Sequence, residues 1–171
     1  MEQSILIKRI LDGIINSEGG YVNRAEDRGG PTNWGITLIT LAEIRGGSVT
    51  IDDLKSLTEF GAREIYKYRY IEGPGYLGIT DPDLLELVVD TAVNNGRSRA
   101  TKWLQRSAGV IEDGILGPIT VAKVNLNPKK IYRNLCAERM KAYGALVSQN
   151  HSQVVFIAGW LNRLARFVRR G

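Results

Sequence analysis

The 171-residue chain contains one cysteine and one histidine. Cys136 has no partner for an intramolecular disulfide, which points to folding in a reducing compartment. It reads as a small apolar side chain in a helix expected around Tyr132 to Ala145. His151 stands alone as well, so no His or Cys cluster offers a zinc site, and a zinc-dependent hydrolase has no ligand set. Neither a phosphate-cradling glycine loop nor a serine nucleophile motif occurs. The expectation is therefore no metal and no cofactor. No apolar stretch approaches the roughly 20 residues of a membrane span. At the N-terminus Lys8, Arg9 and Asp12 interrupt the apolar run, which leaves no secretory leader to recognise. Internal repeats, low-complexity segments and flexible interdomain linkers are also missing.

Acidic residues are scarce toward the C-terminus. Residues 1–100 carry 11 Lys plus Arg against 15 Asp plus Glu, a net of −4; residues 101–171 carry 12 against 3, a net of +9, for +5 overall. A basic half of this kind is drawn to anionic envelope polymers and phospholipid headgroups. Nucleic acid is not expected, because no recognised nucleic-acid motif accompanies the charge. From Val154 to Arg170 the residues Val155, Ile157, Trp160, Leu161, Leu164, Phe167 and Val168 form an apolar side, with Arg163, Arg166, Arg169 and Arg170 mostly opposite. This is a basic amphipathic helix. The favoured reading docks its apolar side on the domain and leaves its arginines in water; the sharper alternative is contact with anionic outer-membrane lipids through residues 154–170.

What is present is mostly helical periodicity. Ile5, Leu6, Ile10, Leu11, Ile14 and Ile15 recur at spacings of three to four, with Ser4 placed to cap the start. Helices are also expected over 51–57 and 60–71, the second placing Tyr66 and Tyr70 on one face a turn apart. Gly73-Pro74-Gly75 breaks the chain, and Asp81-Pro82 opens a helix through Leu84, Leu85, Leu87, Val88 and Ala92. Asp90 on that apolar helix is costly unless it is paired or lines a cleft. Shorter helices over 98–108 and 118–126 flank an Asp113-Gly114 turn that reads as a connector. With 43% hydrophobic residues the chain can bury one real core. The expected fold is mainly α, with a small β-hairpin or irregular loop around residues 20–37. The expected organisation is one compact unit over 1–171, with lobes over 1–80 and 81–171.

The chemistry concentrates in residues 18–37. Gly19 and Gly20 stop the first helix, so Glu18 lies in or just past its last turn, among unsatisfied carbonyls. The negative end of a helix dipole disfavours a carboxylate and favours the protonated acid, as a general acid requires. Raising a Glu from about 4.3 to about 6 takes roughly 2 to 2.5 kcal/mol, of which the dipole supplies about 0.3 to 1. Desolvation must supply the rest. Asp27 lies nine residues on, across turn-forming chain that can fold it back toward Glu18, whereas the adjacent Glu26 reads as solvated. Gly29, Gly30, Pro31 and Gly35 read as tight-loop geometry that lets backbone approach a ligand. Thr32 or Thr37 can orient a water. Paired carboxylates of unequal environment are the equipment of a glycosidase.

The run Glu18-Gly19-Gly20-Tyr21-Val22-Asn23, then Asp27-Arg28-Gly29-Gly30-Pro31-Thr32 and Gly35-Ile36-Thr37, resembles the signature of the glycoside hydrolase family 108 muramidases. These lysozyme-like enzymes occur as phage endolysins and as secretion-associated bacterial muramidases. Asp90-Thr91-Ala92-Val93-Asn94-Asn95-Gly96, Trp103-Leu104-Gln105 and Asp113-Gly114-Ile115-Leu116-Gly117-Pro118 are similar to the family's C-terminal half, described as a predicted peptidoglycan-binding region. The resemblance implies Glu18 as catalytic acid, with Asp27 and Thr32 as its partners; Thr32 arrives one residue early, which leaves Thr37 as the competing hydroxyl. The candidate substrate contacts are Tyr21, Trp34, Thr37, Tyr70, Asp90 and Asn94. Tyr70-Ile71 stands where members often carry Tyr-Trp, so Tyr70 or Trp34 would supply a sugar-stacking ring.

The expected activity is cleavage of the β-1,4 bond between N-acetylmuramic acid and N-acetylglucosamine of peptidoglycan by a monomeric endolysin acting on a Gram-negative host. Without a leader it would accumulate in the host cytoplasm and reach the periplasm through a holin or another dedicated route. A bacterial secretion-associated role is the second expectation. The rival from another class is a noncatalytic wall-binding or membrane-active protein that keeps the fold.

Overall fold

The computed structural model describes residues 3–23 and 30–169. Among the described residues it is mainly α: nine α-helices and one two-stranded antiparallel sheet, consistent with the lysozyme-like fold expected. The chain divides into two compact units, Met1–Gly73 and Pro74–Gly171, meeting in sequence at the Gly-Pro-Gly break.

In the first unit, α1 (Gln3–Glu18) buries Leu6, Ile10, Leu11, Ile14 and Ile15, each contributing about 1.5–3 kcal/mol by leaving water. Two expectations for this helix are corrected. Ile5 stays 56% exposed, and Ser4 lies inside the first turn because Gln3 is already helical. The partner of α1 is α4 (Glu59–Lys67), which buries Ala62, Ile65 and Tyr66. Arg63 on α4 closes an ion pair of 2.7 Å on Asp12 of α1, and Lys8 reaches the same carboxylate at 2.8 Å.

Between them lie a hairpin, β1 (Thr32–Asn33) and β2 (Ile36–Thr37), and two short helices, α2 (Leu38–Arg45) and α3 (Ile51–Lys55). Thr37 caps α2 by accepting from the Thr40 amide, and Thr50 forms a reciprocal capping box with Asp53 on α3. The helix expected over 60–71 is not uniform, since α4 gives way to a π-helical turn over Tyr68–Glu72. The Gly73 amide closes that turn on the Tyr68 carbonyl at 2.8 Å, and a Cβ at Gly73 would meet the same oxygen at 2.8 Å. Glycine lets the wide turn close.

The second unit is built on α5 (Pro82–Asn95), whose residues 84, 85, 87–92 are all buried. Asp81 caps it, accepting from the Leu84 amide at 2.8 Å. Around α5 pack α6 (Arg97–Ala108) and α8 (Pro128–Gln149), with α7 (Pro118–Leu126) against α6 and α8. The Asp113-Gly114 connector is held by the buried Gln105, whose Nε2 donates to Asp113 Oδ1 at 2.6 Å and whose Oε1 accepts from the Gly114 amide at 2.9 Å.

The terminal helix α9 (Val154–Val168) docks on α8 by a narrower face than expected. Leu164 and Phe167 are buried, and Trp160 stacks on Tyr143 at 5.2 Å, but Val155, Leu161 and Val168 remain exposed. Arg163 is not left in water: its Nε donates to Asp90 at 2.8 Å. No helix among the described residues is long and apolar enough to cross a membrane.

Candidate active site

Glu18 is the last residue of α1, and Gly19 turns the chain away with φ at 69°. The carboxylate stands half-buried at the helix's C-terminal end. Facing it is the hairpin turn Trp34-Gly35, where both residues have positive φ, 53° and 73°. That is the geometry of a two-residue type I′ turn. A Cβ built on Gly35 would lie 2.6 Å from Glu18 Oε2, 2.9 Å from Glu18 Cγ and 2.6 Å from the Tyr66 hydroxyl. The Glu18 carboxylate, the turn backbone and Tyr66 therefore share one small space.

Tyr66 is buried, and its hydroxyl donates to the Trp34 carbonyl at 3.0 Å. Tyr70 lies one turn on in the π-helical segment, with its ring 5.7 Å from that of Tyr66 and tilted by 30°, as the shared helix face predicts. Ile71 is fully buried and belongs to the core.

The hairpin is held by donors that sequence reasoning missed. Asn33 is 4% exposed, and its Nδ2 lies 2.9, 3.2 and 3.1 Å from the carbonyls of Leu54, Lys55 and Leu57, while Trp34 Nε1 donates to the Leu57 carbonyl at 3.2 Å. These carbonyls sit at the end of α3 and just beyond it, where intrahelical partners run out. Anchoring them locks the turn that faces Glu18. In the sequence Asn33 falls within the hairpin or irregular loop expected around residues 20–37 and carries no further signal, because its partners lie more than twenty residues away.

Thr32 pairs with Thr37 across the hairpin and exchanges backbone bonds with Val22 at 2.8 and 2.9 Å. The Thr37 hydroxyl accepts from the Thr40 amide at 3.1 Å and donates to the Thr40 hydroxyl at 3.1 Å. Thr32 is thus the hydroxyl left without a capping duty. Tyr21 is part exposed, with Lys55 Nζ 5.7 Å from its ring centroid. Asp27, with Glu26, Arg28 and Gly29, lies outside the described residues.

Asp90 and Asn94 belong to the second unit. Asp90 is 7% exposed and both its oxygens are used, Oδ2 by Arg139 Nη1 at 2.9 Å and Oδ1 by Arg163 Nε at 2.8 Å. Arg139 is wholly buried, and Tyr143 accepts from its Nε and Nη2 at 3.3 and 2.9 Å. Burial opposes the Arg139 charge, but Asp90 and Tyr143 more than offset it, and its pKa is raised. Asn94 is exposed and donates to the Asp90 carbonyl at 2.6 Å.

The Glu18 carboxyl thus stands at the C-terminal end of a helix, against a glycine turn and beside the Tyr66 hydroxyl, a placement open to acid–base chemistry. With the mainly helical fold, this arrangement is consistent with the class of lysozyme-like glycoside hydrolases. The glycosyl hydrolase 108 family model matches residues 11–96, and a predicted peptidoglycan domain model matches residues 99–165. The chain belongs to the glycosyl hydrolase 108 family. Among solved structures, that of Brucella abortus SagA is 31% identical over 98% of this chain and 94% of its own, with a TM-score of 0.84. No curated protein sequence matches the chain. Family and second domain together make it a peptidoglycan hydrolase.

Proposed function

We propose that the protein is an N-acetylmuramidase that cleaves the β-1,4 bond from N-acetylmuramic acid to N-acetylglucosamine. The observation that carries this reading is the Glu18 carboxylate held against Gly35 and Tyr66 at the end of α1. Glu18 protonates the glycosidic oxygen as the bond from the muramic C1 breaks, and the N-acetylglucosamine leaves with that proton on its O4. Water adds to C1 and creates a reducing muramic end. Asp27 stabilises the oxocarbenium-like transition state or guides water with Thr32. Tyr21, Trp34 and Tyr70 supply the aromatic surface of the sugar site.

The setting that fits is a phage endolysin acting on a Gram-negative wall, a reading supported by the basic charge of the second unit. A holin or another dedicated route would bring it to the periplasm.

Wild type and Glu18→Gln, incubated with purified Gram-negative peptidoglycan, decide the reaction by mass spectrometry of soluble products with and without borohydride. Muropeptides with reducible muramic ends from wild type alone are expected. Reducible N-acetylglucosamine ends, or free amino groups without new reducing ends, would overturn the reading.

Contact with anionic lipid is a second reading, favoured by the exposed Val155, Phe156, Leu161 and Val168 of α9 beside Arg166 and Arg169. Vesicles of phosphatidylglycerol are expected to retain the protein at low salt, and equal retention by neutral vesicles would count against it.

A further inference from the structure

Trp34 is the one non-glycine residue with positive φ among the described residues, at 53°. A bulky side chain rarely adopts that conformation, and Asn, Asp or Gly is the usual occupant of this turn position. Strain of this kind persists only where the surroundings hold it. Here the hold is the segment from Leu54 to Leu57. The carbonyls of Leu54, Lys55 and Leu57 take the buried Asn33 amide at 2.9, 3.2 and 3.1 Å, and that of Leu57 also accepts from Trp34 Nε1 at 3.2 Å. A further bond of 3.0 Å runs from the Tyr66 hydroxyl to the Trp34 carbonyl. The same segment reaches the chain that leaves Glu18, because Lys55 Nζ lies 5.7 Å from the ring centroid of Tyr21, three residues past the acid. The turn that faces Glu18 and the chain that leaves it are thus tied to one support, and all of these residues belong to the first unit.

We infer that Asn33 is a positioning residue for proton transfer by Glu18, acting through the Trp34-Gly35 turn and not on the substrate. The inference rests on the reading of Glu18 as the acid. The Asn33 amide fixes the hairpin on residues 54–57, and the hairpin fixes Gly35. Gly35 leaves the acid no spare room, since one added carbon there would lie 2.6 Å from Glu18 Oε2. A shift of the turn therefore shifts the space that the carboxyl occupies. Misplacing a reacting group by about 1 Å can cost on the order of a hundredfold in rate. Sugar contacts made away from the acid are left as they were, so the loss falls on kcat and spares KM. The acceptors also explain why an amide stands at 33. It supplies two N–H donors on a short neutral stem, whereas a carboxylate would face three carbonyls with no donor at all.

The test compares the full chain with Asn33→Ala and with Thr58→Ala, which removes the cap of α4 and so weakens the same unit without touching the turn. Steady-state rates on soluble glycan strands are read beside the carbon-13 signal of the Glu18 carboxyl, assigned as the one missing from Glu18→Gln. Asn33→Ala is expected to lower kcat at least tenfold, to leave KM within twofold and to move the Glu18 signal. Thr58→Ala is expected to keep kcat within twofold and the signal in place. Wild-type kcat in Asn33→Ala, an equal loss in Thr58→Ala, or an unmoved Glu18 signal would each overturn the inference. Should Asn33→Ala not fold, Trp34→Phe decides, because it removes only the ring N–H bond to Leu57. The Glu18 signal should then move in Trp34→Phe, and a signal that stays in place would again overturn the inference. Hydrolysis by wild type that Glu18→Gln does not abolish would remove the reading of Glu18 as the acid. The carboxyl signal needs no substrate, so it would still decide whether Asn33 positions Glu18.

Discussion

Gly35 and Glu18 occupy adjoining volumes: a single added carbon on Gly35 would lie 2.6 Å from the Glu18 carboxylate oxygen. The turn that carries Gly35 is therefore shaped around the acid. Gly35→Ala is expected to push the carboxylate aside and to strain a backbone at φ 73°, at about 1–2 kcal/mol. Hydrolysis should fall at least tenfold while circular dichroism stays helical. A variant with wild-type kcat would show that the acid tolerates displacement.

Tyr66→Phe removes the hydroxyl bonded to the Trp34 carbonyl at 3.0 Å. Stability should drop by about 0.5–1.5 kcal/mol, the ordinary worth of one such bond. The turn loses an anchor on the Glu18 side, so kcat should fall more than KM rises. Denaturant unfolding and steady-state rates on soluble glycan strands check both parts.

Asp90→Ala strands a fully buried Arg139. Removing one partner of a buried pair costs about 3–5 kcal/mol. Arg163→Gln, at the more exposed side of the same carboxylate, should cost clearly less, because Arg139 still holds Asp90. Equal losses in the two variants would contradict this ordering, and urea midpoints measure it.

Several carboxyls are held below their usual range: Asp12 by Lys8 and Arg63, Glu112 by Arg106, and Asp113 by Gln105 and the Ile115 amide. Each therefore binds more protons unfolded than folded in the acid range. Their contribution is present above the unfolded value of about 4 and is lost as pH falls through the lower folded values. The denaturation midpoint should decline from pH 5 toward pH 2, and Asp12→Asn should decline less steeply. A flat midpoint to pH 3 would be the contrary result.

Cys136 is buried, and burial pushes its thiol pKa up. Both effects suppress the thiolate, so a disulfide reagent should react slowly with the native chain and rapidly in denaturant. Fast native labelling at pH 7 would show that α8 opens there.

Much of this was readable along the chain, because local rules decide it. The period of Leu6, Ile10, Leu11 and Ile14 specifies α1, and two glycines after Glu18 end it at the acid. Asp81-Pro82 opens α5, and Gly35 marks the hairpin. Helix α2 escaped notice, because in Leu38–Arg45 apolar residues surround the axis and only Leu41 is buried. The apolar side of α9 was legible, but its docking was not, since exposure depends on what α8 presents to it.

The sequence by itself determined the helical class, the placing of Glu18 at a helix end and the family, because each depends on residues close together in the chain. Tertiary structure alone decided the rest. Asn33 reaches carbonyls more than twenty residues on, Tyr66 braces Trp34 across 32 positions, and Arg163 meets Asp90 across 73. A buried polar group must find its partner wherever packing brings one, and no periodicity along the chain records where that is.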